Sequence, residues 1–562
     1  MSGALRLGAA QALLLFLASV PLLGSAGCDG GSPTIIAGQF FASPILVEGQ
    51  AGPTLILADE GGKLSAFEAE TTLPRWTLQL QAPPGQDAYL FGTPVAVDGR
   101  LVVSYHTQES DSGVRKSHRV AVIDIASGEF DEAFPEIELT ARKPTSDGSG
   151  WVDFNPATAF GRAALAHGRI RPSSLGYVYA SFGNAGTIQP YHGWVFEIDL
   201  DRWKSAGADA AITSSLLVTP ETDCGVEGKS GAYEMICGGG VWTPAGPQIF
   251  TTSDGFELIV PTGNGQLDLG RRDYANTLMR VKPGLRFDSG CDPQLCEAFD
   301  PIAPSEACLA SCRNLFVPRL LPGDPPLRPA SGRCDGKTFL ECYALLDADL
   351  GSCAPIKVGL EEGLSVFVQP GKDGSVYLLD ADHMGTLYDR ETIVEFCGAP
   401  GDDCTGNQWR GMIVTQPTLT EADGVPVVLV ATFNFDETHP AGVVALKIRV
   451  ENGLPRLEPF WQVPDAESKE AVERFRHYPS RIALSDSGSD EGATAWVVEG
   501  SRHEEGTIHG IRVRDGQVVA RIPMQGHGRK FVLPVIHDGR LFAPSNPDFE
   551  IHRIFEPGTP LE

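Results

Sequence analysis

Cysteine is the residue type whose number and spacing carry the most chemistry in this chain of 562 residues. There are twelve. Cys28 stands apart near the N-terminus. Among the other eleven, Cys224 and Cys237 are spaced to close one loop, and Cys397 and Cys404 another. Cys291, Cys296, Cys308, Cys312, Cys334, Cys342 and Cys353 crowd into one Pro-rich segment. No Cys-x-x-Cys pair occurs and the spacings are irregular, which argues against zinc. No Cys-x-x-Cys-His occurs either, so covalently attached haem is not expected. Disulfide chemistry in an oxidising compartment is the reading, and an odd total leaves at least one thiol without a partner in the chain.

The other reactive residue types show no catalytic pattern. There is no Gly-x-Ser-x-Gly elbow, no His-Glu-x-x-His, no phosphate-binding Gly-rich loop ending in Lys-Ser/Thr and no Gly-x-Gly-x-x-Gly. The twelve histidines are scattered. Arg502 to Glu505 with His509 reads as a solvated, charged hairpin. Asp486 to Glu491 reads as an acidic loop with at most weak calcium affinity. A formal charge of −28 repels phosphate, which sets nucleic acid aside as a partner.

What positions these residues is read from the two ends of the pattern, the leader and the repeat. One basic residue, Arg6, precedes an apolar stretch from Ala9 to Leu23 and then Gly24-Ser25-Ala26-Gly27-Cys28. This is expected to be a secretory signal over residues 1–27, too short and too weakly flanked for a permanent span. Cys28 after small residues resembles the lipobox of bacterial lipoproteins, in which that Cys is acylated. Ser25 stands where the lipobox has Leu, so ordinary cleavage after Ala26 stays open. Residues 28–33 would then be a linker from a lipid anchor to the folded part. The expected location is the periplasm or cell surface, on a bacterial membrane.

Two markers repeat through the rest. "GKDGSVYLLDAD", Gly371 to Asp382, and "DEGGKLSAFEAE", Asp59 to Glu70, share a Gly turn, an apolar strand and an acidic stop. Looser copies lie at Arg119–Ile125, Gly193–Asp199, Gly442–Lys447 and Gly506–Arg512. A proline at the head of a strand recurs at Pro44, Pro94, Pro156, Pro244, Pro355, Pro417, Pro479 and Pro534. Proline suits that place because it cannot donate to a ladder further along. Eight starts, each followed by about four short strands, predict an all-β fold, a β-propeller of eight blades, with seven as the alternative. Thr34 to Phe41 is expected to supply the last blade's missing strand. The propeller is drawn over residues 34–562, with a Cys-rich insertion at 288–353.

These repeats resemble the pyrroloquinoline-quinone (PQQ) type propeller family, whose units end in the same turn, strand and Asp-Ala-Asp/Glu signature. The family includes alcohol and sugar dehydrogenases and non-catalytic scaffolds, among them a lipoprotein of outer-membrane protein assembly. For the enzymes, the resemblance implies a quinone stacked on a Trp, a calcium ion and an aspartate base. In "GGGVWTPAG" the floor residue would be Trp242; in "PTGNG" the calcium ligand would be Asn264. In "RRDYANT" the base would be Asp273, and Lys372 would contact the quinone. The chain departs from the enzymes in having no adjacent cysteines and few tryptophans, and no glutamate ligand can be placed. The departures favour a non-catalytic binding or scaffold lipoprotein that engages an envelope protein or small ligand. The alternative is a periplasmic PQQ- and calcium-dependent alcohol or sugar dehydrogenase.

Overall fold

Alternation along a single strand shows how the ring closes. In Thr54–Ala58, Ile56 packs with Leu101, Val103 and Ala121 of the next sheet. Leu55 and Leu57 point the other way, onto Phe542, Phe549 and Ile551 near the C-terminus. Successive side chains of a strand leave opposite faces, so each sheet must be covered on both sides by a neighbour. The computed structural model satisfies this with an eight-bladed β-propeller. It describes residues 33–49, 52–184, 191–220, 224, 237–296, 304–323, 334–393, 413–432, 442–463, 479–486, 492–500 and 505–554.

Eight buried apolar clusters fill the eight junctions between consecutive blades. Each sheet is antiparallel. Blade 1 consists of Ile45–Val47, Thr54–Ala58, Lys63–Glu68 and Pro74–Gln79. Blade 8 is completed by Thr34–Ala37, which pairs with Asp548–Arg553 in the register Thr34↔Ile551. The expected closure by the N-terminal segment is therefore present, and it ties the two ends of the propeller into one sheet.

Five of the eight prolines stand directly ahead of an innermost strand; Pro244 and Pro479 stand four residues ahead of Gln248–Thr252 and Ala483–Asp486. Pro156 is the exception. Blade 3 begins at Ala166–Gly168, led in by Leu165, whose amide binds Thr93 O. Asn155-Pro156 instead opens a turn whose amides at Thr158 and Ala159 bind Asn155 O. An inserted hairpin, Arg142–Pro144 with Trp151–Asp153, precedes it and moves the start of the blade downstream.

Segment 288–353 is woven into the ring. Leu315–Phe316 is the outer strand of blade 4, paired with Leu278–Val281. Leu309, Cys312 and Val317 join the cluster between blades 3 and 4. Disulfides Cys291–Cys312 and Cys296–Cys308 staple the approach to that strand, and Cys334–Cys342 clamps the helix Phe339–Leu345. Cys224 and Cys237 are joined as expected, and Cys353 is a buried free thiol. Residues 1–27, Cys28, Cys397 and Cys404 lie outside the described residues. Among the described residues, no helix is long and apolar enough to cross a membrane.

Strand direction decides which loops meet. Antiparallel strands alternate, so within each blade the turn from second to third strand and the segment leading into the next blade open on the same face. Trp242 is in the segment leading into blade 4, and Asn264 follows its second strand, Gly255–Pro261. Asp347 and Asp349 are in the segment leading into blade 5, and Lys372 follows its second strand, Ser365–Pro370. All five belong to one face of the ring.

Candidate functional site on the propeller axis

The Gly-rich segment before blade 4 brings Trp242 close to the turn holding Asn264. Gly263 N donates to Gly240 O at 2.8 Å, Gly239 N to Asn264 O at 2.7 Å, and Val241 N to Phe182 O at 3.1 Å. Only glycine fits two of the positions. A Cβ on Gly351 would lie 2.9 Å from Trp242 Nε1 and 2.7 Å from Gly263 N. Gly265 has φ +151°, and its Cβ would lie 2.5 Å from Cys237 O. The indole is therefore wedged between backbones from three segments. Its ring meets Phe531 edge-on, with centroids 6.4 Å apart and planes at 73°. Phe531 leads into blade 8, diametrically opposite blade 4, so this contact spans the propeller axis.

Lys372 completes the floor. In the sequence, beside Asp373 and Gly374, it reads most simply as an exposed turn residue, but it is 2 % exposed. Its ammonium stands 4.8 Å from the Trp242 ring centroid, a cation–π distance. Nζ binds Asp349 Oδ2 at 2.6 Å and Asp347 Oδ1 at 3.2 Å. Asn264 Nδ2 donates to the same Asp347 oxygen. Asp373, the next residue, turns away and accepts from Tyr377 Oη at 2.7 Å and pairs with Arg390 at 3.4 Å.

The two carboxylates reach this place from the Cys-rich segment. Thr338 caps the helix Phe339–Leu345 in a reciprocal box with Glu341. The helix ends as Leu346 N binds Cys342 O and Ala348 N binds Tyr343 O, and Asp347 takes a left-handed φ of 57°. That single reversal points Asp347 at Asn264 and Lys372.

Charge does not balance in the cluster, which has two acids and one base. Burial, offset by Lys372 and reinforced by Asp347, pushes the Asp349 carboxyl up to about 7. Burial acts to lower the Lys372 pKa, but the charges of Asp347 and Asp349 outweigh it and hold the ammonium above its ordinary value. Asn264 Oδ1 and Asp349 Oδ1 are buried with no hydrogen-bond donor among the described residues. Asn264 Oδ1 and the unbonded oxygen of Asp349 are hard oxygen donors of the kind calcium takes, a part of its usual set of about six to eight. The fit to a planar quinone is narrower, because a stacked ring must share Trp242 with the Lys372 ammonium.

Three of the four residues singled out in the sequence, Trp242, Asn264 and Lys372, thus meet at one site. Asp273, the fourth, is also buried. It is 1 % exposed in the short hairpin Leu267–Asp268 with Asp273–Tyr274, within the same second-to-third-strand connection of blade 4 that carries Asn264. Its neighbours Arg272 and Tyr274 line a separate cleft of about 580 Å³ with Lys143 and Phe287. Asp347 and Asp349 were missed by the sequence reading. The available signal was their place, just before Pro355, equivalent to that of Trp242 just before Pro244. A further cluster, His192 with Cys224 and Cys237, brings three ligand atoms within 4.8 Å, but its two sulfurs are bonded to each other.

No protein-family profile and no curated protein sequence matches the chain. Solved structures do. The quinohemoprotein alcohol dehydrogenase of Comamonas testosteroni aligns over 94 % of this chain and 77 % of its own, with 12 % identity and a TM-score of 0.47. The quinohemoprotein alcohol dehydrogenase ADHIIG of Pseudomonas putida HK5 aligns over 95 % and 78 %, with 12 % identity and a TM-score of 0.45. BamB of Moraxella catarrhalis aligns over 93 % and 98 %, with 12 % identity and a TM-score of 0.44.

Proposed function

We propose that this chain is an exported propeller, lipid-anchored through Cys28, that binds PQQ and calcium on its axis and oxidises an alcohol or sugar in the periplasm. The observation that carries the reading is the convergence of Trp242, Asn264 and Lys372, from three separate segments, with Asp347 and Asp349. In this reading Trp242 is the floor for the quinone. Asn264 Oδ1 and the two carboxylates hold the cation, and Lys372 meets the quinone's polar edge. The bound quinone would supply the two-electron acceptor that the side chains lack. Asp273, which the family likeness marks as the base, keeps that role in this reading.

The second reading is a non-catalytic binding or scaffold lipoprotein that engages an envelope protein. It is favoured by the closed state of the cluster, in which Lys372 already neutralises a carboxylate and covers part of the Trp242 ring. Quinone titration of purified protein with calcium, followed by Trp fluorescence, decides between them. Micromolar, calcium-dependent quenching that is lost in Asn264→Ala and Asp347→Asn but kept in Asp273→Asn supports the dehydrogenase. Absence of binding at millimolar quinone leaves the scaffold, and the next step is capture of an envelope partner.

A further inference from the structure

The chain carries 72 acidic against 44 basic residues, yet the described side chains around Phe531 are cationic. Arg162 Cζ and Lys530 Nζ each lie 4.9 Å from the Phe531 ring centroid, and that ring touches Trp242. Arg529 stacks on Phe41 at 4.3 Å. Arg481 N binds Val532 O at 2.7 Å, and its guanidinium donates to Gln416 Oε1. Gln416 in turn donates to Gln248 Oε1 at 2.8 Å, a polar bridge between the segments leading into blades 4 and 6. These cations therefore come from blades 3, 7 and 8 and gather beside the Trp242–Phe531 contact.

Two of these guanidiniums are partly exposed and bonded to neutral oxygens: Arg481 to Gln416 Oε1, and Arg529 to Ser545 O at 3.2 Å and Asn546 Oδ1 at 3.1 Å. Burial alone lowers the Arg481 pKa, to about 10. Burial also lowers that of Arg529, against the opposing charge of Glu60. A partly desolvated cation bonded only to neutral oxygens can still gain a charge-assisted hydrogen bond from an arriving anion. Guanidinium and carboxylate also match in shape, two parallel N–H donors against two oxygens. Aromatic plates at Phe531 and Phe41 beside the charges suit a ligand with an apolar ring face and an anionic rim.

We infer that the axial mouth selects a carboxylate-bearing substrate, a sugar acid or hydroxy acid in preference to its neutral counterpart, through Arg162, Arg481, Arg529 and Lys530. This deepens the dehydrogenase reading and rests on it for the word substrate, but the anion preference is a binding property that can be measured without turnover. The experiment compares glucuronate with glucose by calorimetry, on the free protein and on protein saturated with PQQ and calcium. The expected result is at least about tenfold tighter binding of glucuronate, near 1.4 kcal/mol, weakened by salt. Arg481→Gln and Lys530→Gln should each erase most of that preference; the second guards against misfolding of the first.

Equal affinity for the two sugars, or binding of neither, overturns the inference, as does an unchanged preference in both variants. A preference present in the free protein but lost once quinone is bound overturns it too, because the cations then serve the quinone's own carboxylates. If quinone binds but no anion preference exists, the dehydrogenase reading stands and this inference falls. If glucuronate is preferred while quinone does not bind, the anion site stands without the dehydrogenase.

Discussion

Blades 1 and 5 carry the same turn signature at the same point of the fold, and the two turns have opposite fates. In blade 1, Asp59-Glu60-Gly61-Gly62 is an ordinary turn. Asp59 accepts from Gly61 N at 2.7 Å and from Gln39 N at 2.8 Å, and Gly62 N binds Asp59 O. In blade 5, Gly371-Lys372-Asp373-Gly374 makes the equivalent turn, with Gly374 N on Gly371 O. Its lysine is almost wholly buried among two aspartates, an asparagine and a tryptophan. The turn is dictated locally by glycine and the strand it feeds. Its environment is dictated by the segment leading into the blade, which is short in blade 1 and passes through the Cys-rich segment in blade 5.

The largest test of that difference removes the lysine. Lys372→Met leaves Asp347 and Asp349 buried without their counter-ion and should cost about 3–5 kcal/mol, read as a lower midpoint in thermal and urea unfolding at pH 8. Lys63→Met, beside the blade 1 turn and partly exposed, should stay within about 0.5 kcal/mol. Equal effects at the two lysines would mean that the blade 5 cluster is no more demanding than a surface turn.

Titration gives a smaller and signed effect. Asp349 has a folded pKa near 7 against an ordinary 3.8. The folded protein therefore binds this proton more tightly than the unfolded chain. The stabilisation from protonation is greatest at low pH, declines as pH rises from about 4 to 7, and is gone above that. Asp349→Asn should remove this decline, so that the variant gains on the parent with rising pH, by at most about 1.4 kcal/mol per pH unit. The damage in Lys372→Met should shrink at pH 5, where one carboxyl is protonated. A difference curve that is flat between pH 4 and 7 would place the titration elsewhere.

How much of this was legible depended on where periodicity survived. The Gly turns, the strand-heading prolines and the closing strand Thr34–Ala37 were legible because a propeller repeats one local problem eight times. Pro156 misled because it opens a turn and the short strand Ala159–Phe160, nine residues before Leu165 leads into the blade's Ala166–Gly168. Trp242, Asn264 and Lys372 were reached through family likeness, and their meeting follows from strand direction. Asp347 and Asp349 were hidden because 111 residues separate Pro244 from Pro355. The outer strand Leu315–Phe316 is only two residues long, with no β-rich run to mark it. Segment 288–353 therefore read only as a Cys-rich insertion, and its acids drew no reading.

The finest test lies at the quiet end of the comparison. Asp59→Ala removes two hydrogen bonds from the blade 1 turn without leaving a buried charge, because the side chain is partly exposed and water can replace it at both amides. Net loss should be about 1 kcal/mol. It should also be local and lopsided. Gln39 N belongs to the segment that runs from the closing strand Thr34–Ala37 into blade 1, so its amide should exchange faster by about fivefold. Amides of Ser365–Pro370 and Ser375–Asp380 in blade 5 should be unchanged. If protection falls in both blades together, the ring opens as one unit, and the contrast between the two turns is then one of chemistry alone. If it falls only around Gln39, the propeller has a weak seam where its ends are joined, and the charged cluster in blade 5 is insulated from it.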